Sequence, residues 1–331
     1  MEGVNFRKIA EELNISHMTL YRVINNAQDV KESTRARVID ALNRHGYYRN
    51  ERSKPKTVII DVDRSGRSDY MRSLVETLTE RLSVHAFQCI ETNHAENRRQ
   101  FLLACRNADV AVLAPMRDRT VYDEAKDINP DLFILNLQGD TVGDVAIASN
   151  DFLGGELAAR HLHSFGHDRH VAVMLPETQE QRHSFRNRYK GFLSEMLLLS
   201  PKCRIDILKY PLLGSLRRNK TLDTFFCRKK RPGALFCPGR FFADRVVEYC
   251  RCHGISIPGE LSLLGYDKRP FNQPELPDYD RVVFDPEQLV NWAEYFIMNR
   301  PVMKCRSPVH LLLDMKIEFH QTVISTGEKR K

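Results

Sequence analysis

Phe6, Ile9, Ala10 and Leu13 stand at i, i+3, i+4 and i+7, and seven residues further on Leu20, Val23 and Ile24 begin the stripe again. Between the stripes Asn14 and Ile15 break the period, and Ser16 offers an N-cap. Helices this short are marginal alone, so the two must pack across a tight turn, with Ala10 small enough for the crossing. A third helix is expected from about Ser33, with Val38, Ile39 and Leu42 inward and Gly46 at a left-handed C-cap. The pattern predicts an all-α three-helix head containing a helix-turn-helix.

In that motif the second helix lies in the DNA major groove, its first turns facing base edges. His17, Met18, Tyr21 and Arg22 turn outward there. Base readout is assigned to His17, Met18 and Arg22. Arg22 can bind guanine O6 and N7 together, whereas Met18 offers apolar contact, for instance to a thymine methyl. Ser16, Thr19, Asn25, Lys31, Thr34 and Asn50 are assigned to the DNA backbone. Residues 1 to 56 hold eleven Lys and Arg against seven acids, more than half of the chain's net charge of +7. That surplus suits a polyanion, and a solvated basic bundle is the alternative.

A chain of 331 residues exceeds one core, so a larger domain must follow the head. With 42% hydrophobic and 28% charged residues the composition is that of a folded protein. The first ten residues lack a signal peptide's apolar region, and no apolar run approaches membrane-spanning length, so a cytoplasmic protein is expected. Eight cysteines are scattered without a CxxC pair, as reduced core thiols are.

The stretch from Val4 to Asn25, with Val30, Thr34, Arg35, Val38 and Gly46 to Asn50, resembles the head of the LacI/GalR family of transcriptional regulators. The resemblance implies operator binding, with His17 and Met18 where members differ in operator preference. Members continue into a hinge helix that carries a leucine into the minor groove. Here the connector, residues 50–57, is shorter, lacks an apolar wedge and contains Pro55. The hinge helix is therefore expected to be missing, and weaker DNA kinking follows. A basic arm on phosphates and a plain flexible linker are the two readings of this segment.

From Thr57 onward short apolar runs alternate with amphipathic stretches. Strands are predicted at 58–62, 86–90, 110–114, 132–135, 170–175, 234–237 and 261–264. That alternation predicts α/β architecture with parallel sheets, and ligands bind beyond the carboxyl ends of such strands. The order of motifs resembles the family's periplasmic-binding-protein-like sensor. Its marks are Asp151 to Gly155, Arg188 to Phe192, Ile257 to Ser262, Leu264 to Asp267 and a terminal strand over Glu318 to Thr326. The resemblance implies a domain over 58–331 following a head over 1–49. Subdomain 1 is placed at about 58–153 and 280–309, and subdomain 2 at about 154–279 and 310–325.

The resemblance also implies a cleft in which Asp151, Arg188 and Asp267 hold an effector. Pro238, Gly239 and Arg240 stand where members carry alanine, asparagine and aspartate, so Gly239 and Arg240 join the predicted site. Gaining an arginine there predicts a sugar-like effector of acidic character. A degenerate sensor controlled by a partner protein, or a purely architectural DNA binder, is the alternative. His161, His163, His167 and His170 are read as structural, since no carboxylate or cysteine lies at metal-ligand spacing. No cofactor and no enzymatic activity are expected. Taken together, the expectation is a homodimeric repressor whose partners are double-stranded operator DNA and a small effector, with no membrane contact.

Overall fold

The computed structural model describes residues 6–24, 30–45, 56–62, 69–115, 118–139, 142–177, 183–211, 215–267, 276–300 and 308–327. In the head, helices α1 (Phe6–Glu12), α2 (His17–Ile24) and α3 (Glu32–Arg44) enclose Ile9, Ala10, Leu13, Leu20, Val23, Val38, Ala41 and Leu42. The turn between α1 and α2 has a local cause. Asn14 takes a left-handed φ of 52°. Its N–H donates to Glu11 O at 3.1 Å and that of Ile15 to Ala10 O at 3.0 Å, the paired bonds of a Schellman stop. Ile39 departs from expectation, being 39% exposed. The inward stripe of α3 is Val38, Ala41 and Leu42, and Ile39 lies about 100° off it. Ile24's side chain, Gly46, Asn25 and Asn50 lie outside what is described, as does connector 50–55.

The larger domain contains two six-stranded sheets. The first runs β11 (Val309–Leu313), β5 (Val145–Ser149), β4 (Phe133–Leu137), β3 (Val110–Ala114), β1 (Lys56–Val62) and β2 (Phe87–Thr92). The second runs β12 (Met315–Glu318), β10 (Asp280–Phe284), β9 (Ser262–Tyr266), β8 (Ala234–Phe236), β6 (His170–Pro176) and β7 (Arg204–Tyr210). Every pairing is parallel except β10 with β12. Central strands such as β3 and β9 are buried throughout, because helices cover both faces.

Strand β1 begins at Lys56, paired with Phe87, so the sheet starts inside the predicted connector. The chain passes between sheets after β5, after β10 and after β11. β10 therefore belongs to the second sheet although 280–309 was placed with the first, and the end of β11 belongs to the first although 310–325 was placed with the second. Asp151 to Leu153 open α7 (Asp151–Ser164), which packs on α8 (His183–Leu199) and on β12 rather than on the first sheet. An apolar run does not encode which of two similar sheets receives it. The terminal strand is Met315–Glu318, earlier than predicted. Beyond it the chain is held by single bonds, Thr322 N–H to Asp280 Oδ1 at 3.1 Å and Leu263 N–H to Thr322 O at 2.9 Å. Strands β5, β7, β10 and β11 were not anticipated; β7 alternates without a clear apolar face, reading exposed or half-buried over most of its length.

Two of the four histidines hold this closure. His161 Nε2 meets Asp280 Oδ2 at 2.9 Å in the interior, and His167 Nε2 meets Ile324 O at 3.0 Å. Cys105, Cys203, Cys237 and Cys250 are buried and unbridged, and burial pushes the Cys105 thiol up to about 12. Among the described residues no helix is long and apolar enough to cross a membrane.

Candidate functional site

The first site is the outward face of α2. Ser16 caps it: Thr19 N–H donates to Ser16 Oγ at 3.0 Å, and the two hydroxyls lie 2.9 Å apart. Leu20 N–H donates to Ser16 O at 3.1 Å, closing the first turn. With Leu20 and Val23 in the core, the opposite face is presented to solvent. His17 and Arg22 are exposed, and Met18 and Tyr21 are 69% and 58% exposed. Tyr21 stands three residues from Met18 and one from Arg22, so it shares their face although the predicted readout set omitted it. No acid occurs in α2, so nothing on the helix opposes an anion at its positive end. Lys31 is exposed and Thr34 half-buried at the start of α3. The face is held in place by α3. Arg37 Nη2 donates to Leu13 O at 3.1 Å, and Arg44 and His45 contact Glu12 at 2.9 and 2.5 Å. His45 and Arg44 hold the exposed Glu12 carboxyl below its ordinary value.

The second site lies where the sheets meet, at the carboxyl ends of their strands. In the second sheet β6 has β7 on one side and β8 on the other, the point at which strand order reverses. Arg188, on α8, follows β6; Pro238, Gly239 and Arg240 follow β8; Asp267 follows β9; and Asp151 enters from the first sheet after β5. Arg188, 8% exposed, joins them. Its Nε donates to Asp151 Oδ1 at 2.8 Å, and its Nη1 to Asp267 Oδ2 at 3.0 Å and to Pro238 O at 2.8 Å. Its guanidinium lies 3.7 Å from the centroid of the Tyr266 ring. The Tyr266 hydroxyl is 3.4 Å from the same Asp151 oxygen.

Burial opposes the charge on Arg188, but the carboxylates of Asp151 and Asp267 outweigh it and raise its pKa above the ordinary value. Burial likewise pushes the Tyr266 phenol well up, so it stays a neutral donor. The pocket thus holds two carboxylates against Arg188, and Arg240 brings the set to neutrality rather than to a positive excess. Arg240 opens helix α10 (Arg240–Cys252), and its Nη1 is buried without a hydrogen-bond partner among the described residues. Gly239 allows this course: a Cβ there would lie 2.5 Å from Phe185 Cε1.

The structure brings Asp151, Arg188 and Asp267 into direct contact and sets Gly239 and Arg240 beside them. Tyr266, Pro238 O and Gln138 complete the cluster and were not foreseen. Gln138 Oε1 accepts from Ser149 N and Oγ at 3.1 and 3.2 Å, and Ser149 Oγ lies 3.3 Å from Asp151 Oδ1. Gln138 stands in a loop with a φ of 56° and carries no motif that would mark it.

Residues 5–50 match the family model for bacterial regulatory proteins of the lacI family, and residues 159–288 match that of the periplasmic binding protein-like domain. A relative over nearly the whole length is the HTH-type transcriptional repressor PurR of Pectobacterium carotovorum subsp. carotovorum (strain PC1). It is 24% identical over 331 residues, 96% of this chain and 94% of its own. Among solved structures, a transcriptional regulator CelR–cellobiose complex superposes with a TM-score of 0.63 at 18% identity, covering 96% of this chain and 99% of that one. The lac repressor dimer bound to operator and the anti-inducer ONPF gives 0.61 at 14% identity, covering 98% and 100%. At these identities the solved structures establish the fold alone.

Proposed function

This chain belongs to the LacI family, a helix-turn-helix head joined to a periplasmic-binding-protein-like domain, and we propose that it is a homodimeric, cytoplasmic, sequence-specific repressor controlled by a small effector. The observation that carries the reading is the capped, acid-free face of α2. Helix α2 enters the major groove, with His17, Met18 and Arg22 against base edges and Tyr21 alongside. Ser16, Thr19, Lys31 and Thr34, with Asn25 and Asn50, meet the DNA backbone. A dimer would place two such helices about one helical turn or a multiple apart on a near-palindromic site. Both the PurR relative, a named repressor, and the operator-bound lac repressor dimer support this assignment.

The effector site is the cleft. Asp151 and Asp267 accept hydroxyls, Arg188 fixes the two carboxylates, and Nη1 of Arg240, without a partner among the described residues, donates to an anionic group on the ligand. The effector class is therefore a sugar derivative bearing a carboxylate or phosphate; the cellobiose-bound CelR neighbour supports a sugar. A second reading follows from one observation: Arg188 is already satisfied by Asp151, Asp267 and Pro238 O, as in a cleft that has given up its ligand. In that case a partner protein controls the DNA-binding head.

Selection of bound duplexes from a random pool tests the head. One enriched, near-palindromic sequence is expected, and its loss in Arg22→Ala while non-specific binding persists. No enrichment at low salt overturns the assignment. A thermal-shift screen of sugars and sugar acids tests the cleft, since a ligand at a hundred times its dissociation constant adds about 2.7 kcal/mol. Stabilisation by acids, lost in Arg240→Gln, supports the first reading; none by any compound supports the second.

A further inference from the structure

Residues 202–231 hold ten Lys and Arg against two acids, a positive surplus larger than that of the whole chain. The head does not account for it, and neither does the cleft. Of these basic residues, Lys202, Arg204, Arg228, Lys229, Lys230 and Arg231 lie at the edge of the second sheet opposite the cleft, where β6, β7 and β8 begin, whereas Lys209 stands near the end of β7 and Arg217, Arg218 and Lys220 in the helix over Ser215–Phe226 that follows it. His170 pairs with Arg204 across β6 and β7, and Ala172 with Leu235 across β6 and β8. Asp206 ties the cluster together, with Arg204 Nε at 2.9 Å, Arg228 Nη1 at 3.1 Å and His170 Nε2 at 3.1 Å. Around it Arg169, Lys202, Lys229 and Lys230 are exposed, and Arg204 and Arg228 keep most or much of their side chains in solvent.

We propose that this basic edge of the second subdomain is a second, sequence-independent binding surface for duplex DNA, distinct from α2, which lets an operator-bound molecule hold a further DNA segment. Its chemistry fits phosphates better than a protein partner. Protein interfaces have centres depleted in Lys, whereas Lys202, Lys229 and Lys230 are exposed at this edge, beside the exposed Leu198 and Ile207. Exposed Lys and Arg that neutralise phosphates are the means by which proteins release counterions from a duplex. Single strands are disfavoured because the nearby Phe226 ring is already covered, by Arg231 at 5.0 Å and by stacked Tyr249 at 5.3 Å, leaving no open platform for a base.

The test uses the full chain, wild type and Lys202→Gln/Lys229→Gln/Lys230→Gln. Each is saturated with the operator duplex from the selection and titrated with a labelled random-sequence duplex, read by anisotropy over a series of salt concentrations. The operator-loaded wild type should bind the random duplex. The triple variant should bind it at least about tenfold more weakly, with the slope of log affinity against log salt lowered by about 2 to 3. Operator affinity and thermal midpoint should be unchanged; both are measured alongside, so failure of the head or of folding registers separately. Equal binding of the random duplex by both proteins overturns the proposal. So does a loaded wild type that ignores the duplex yet binds polyglutamate, which would mark the edge as a surface for acidic protein segments.

Discussion

Arg188 and Asp151 form a buried pair, Nε to Oδ1 at 2.8 Å, that joins α8 to the first turn of α7 where the chain leaves the first sheet for the second. The pair therefore ties two helices that cover the second sheet at the point where the chain arrives from the first. If the proposed effector competes for either group, it changes these contacts, and a conformational equilibrium shifts only by such differential affinity.

Removing the arginine leaves the largely buried Asp151 carboxylate and the partly exposed Asp267 carboxylate without the cation between them. Arg188→Met is expected to destabilise the larger domain by about 3 to 5 kcal/mol, the range for breaking a buried pair by deleting one partner. Arg188→Met combined with Asp151→Asn should recover part of that loss. Denaturant melts of both variants check the order.

Helices α7 and α8 cross at backbone contact. A Cβ on Gly155 would lie 2.0 Å from Arg188 O, and one on Gly191 2.0 Å from Phe152 O. Since backbone cannot yield as a side-chain end does, Gly191→Ala should cost about 1 to 3 kcal/mol. Gly233→Ala, whose Cβ would meet nothing closer than 3.9 Å, is the control and should melt within about 0.5 kcal/mol of wild type.

Ser16→Ala removes the side-chain cap of α2 and should cost about 1 kcal/mol of head stability. Because the cap holds the whole helix, DNA affinity should fall alike on operator and random duplexes. Arg22→Ala should instead cost about 1 to 3 kcal/mol on the operator alone. Binding titrations on both duplexes separate the two patterns.

Asp280 supplies a pH dependence. Burial alone would raise its carboxyl, but the His161 ring and the N–H groups of His320 and Thr322 outweigh that and hold it below its ordinary value. A carboxyl with a depressed folded pKa binds its proton more weakly folded than unfolded. Its stabilisation is therefore complete above the unfolded value of about 4 and is lost as pH falls from there through the folded value. Thermal midpoints measured across that acid range should drop, and Asp280→Asn should show a lower neutral midpoint with a shallower acid fall.

The head was legible almost throughout in its residues alone. Its core residues lie within 34 positions of one another, Ile9 to Leu42, and its turn is written locally in Asn14 and Ser16, so periodicity and capping suffice. The sequence also marked Asp151, Arg188 and Asp267, because each sits in a motif. Tertiary structure alone decided that Arg188 spends its donors on the other two, that Tyr266 and Gln138 belong with them, and that β10 and β11 fall in opposite sheets. Those outcomes depend on contacts 11 to 115 residues apart, and on a choice between two sheets whose apolar strands look alike. Local pattern carries neither, since it reports what a segment must bury and not against which neighbour.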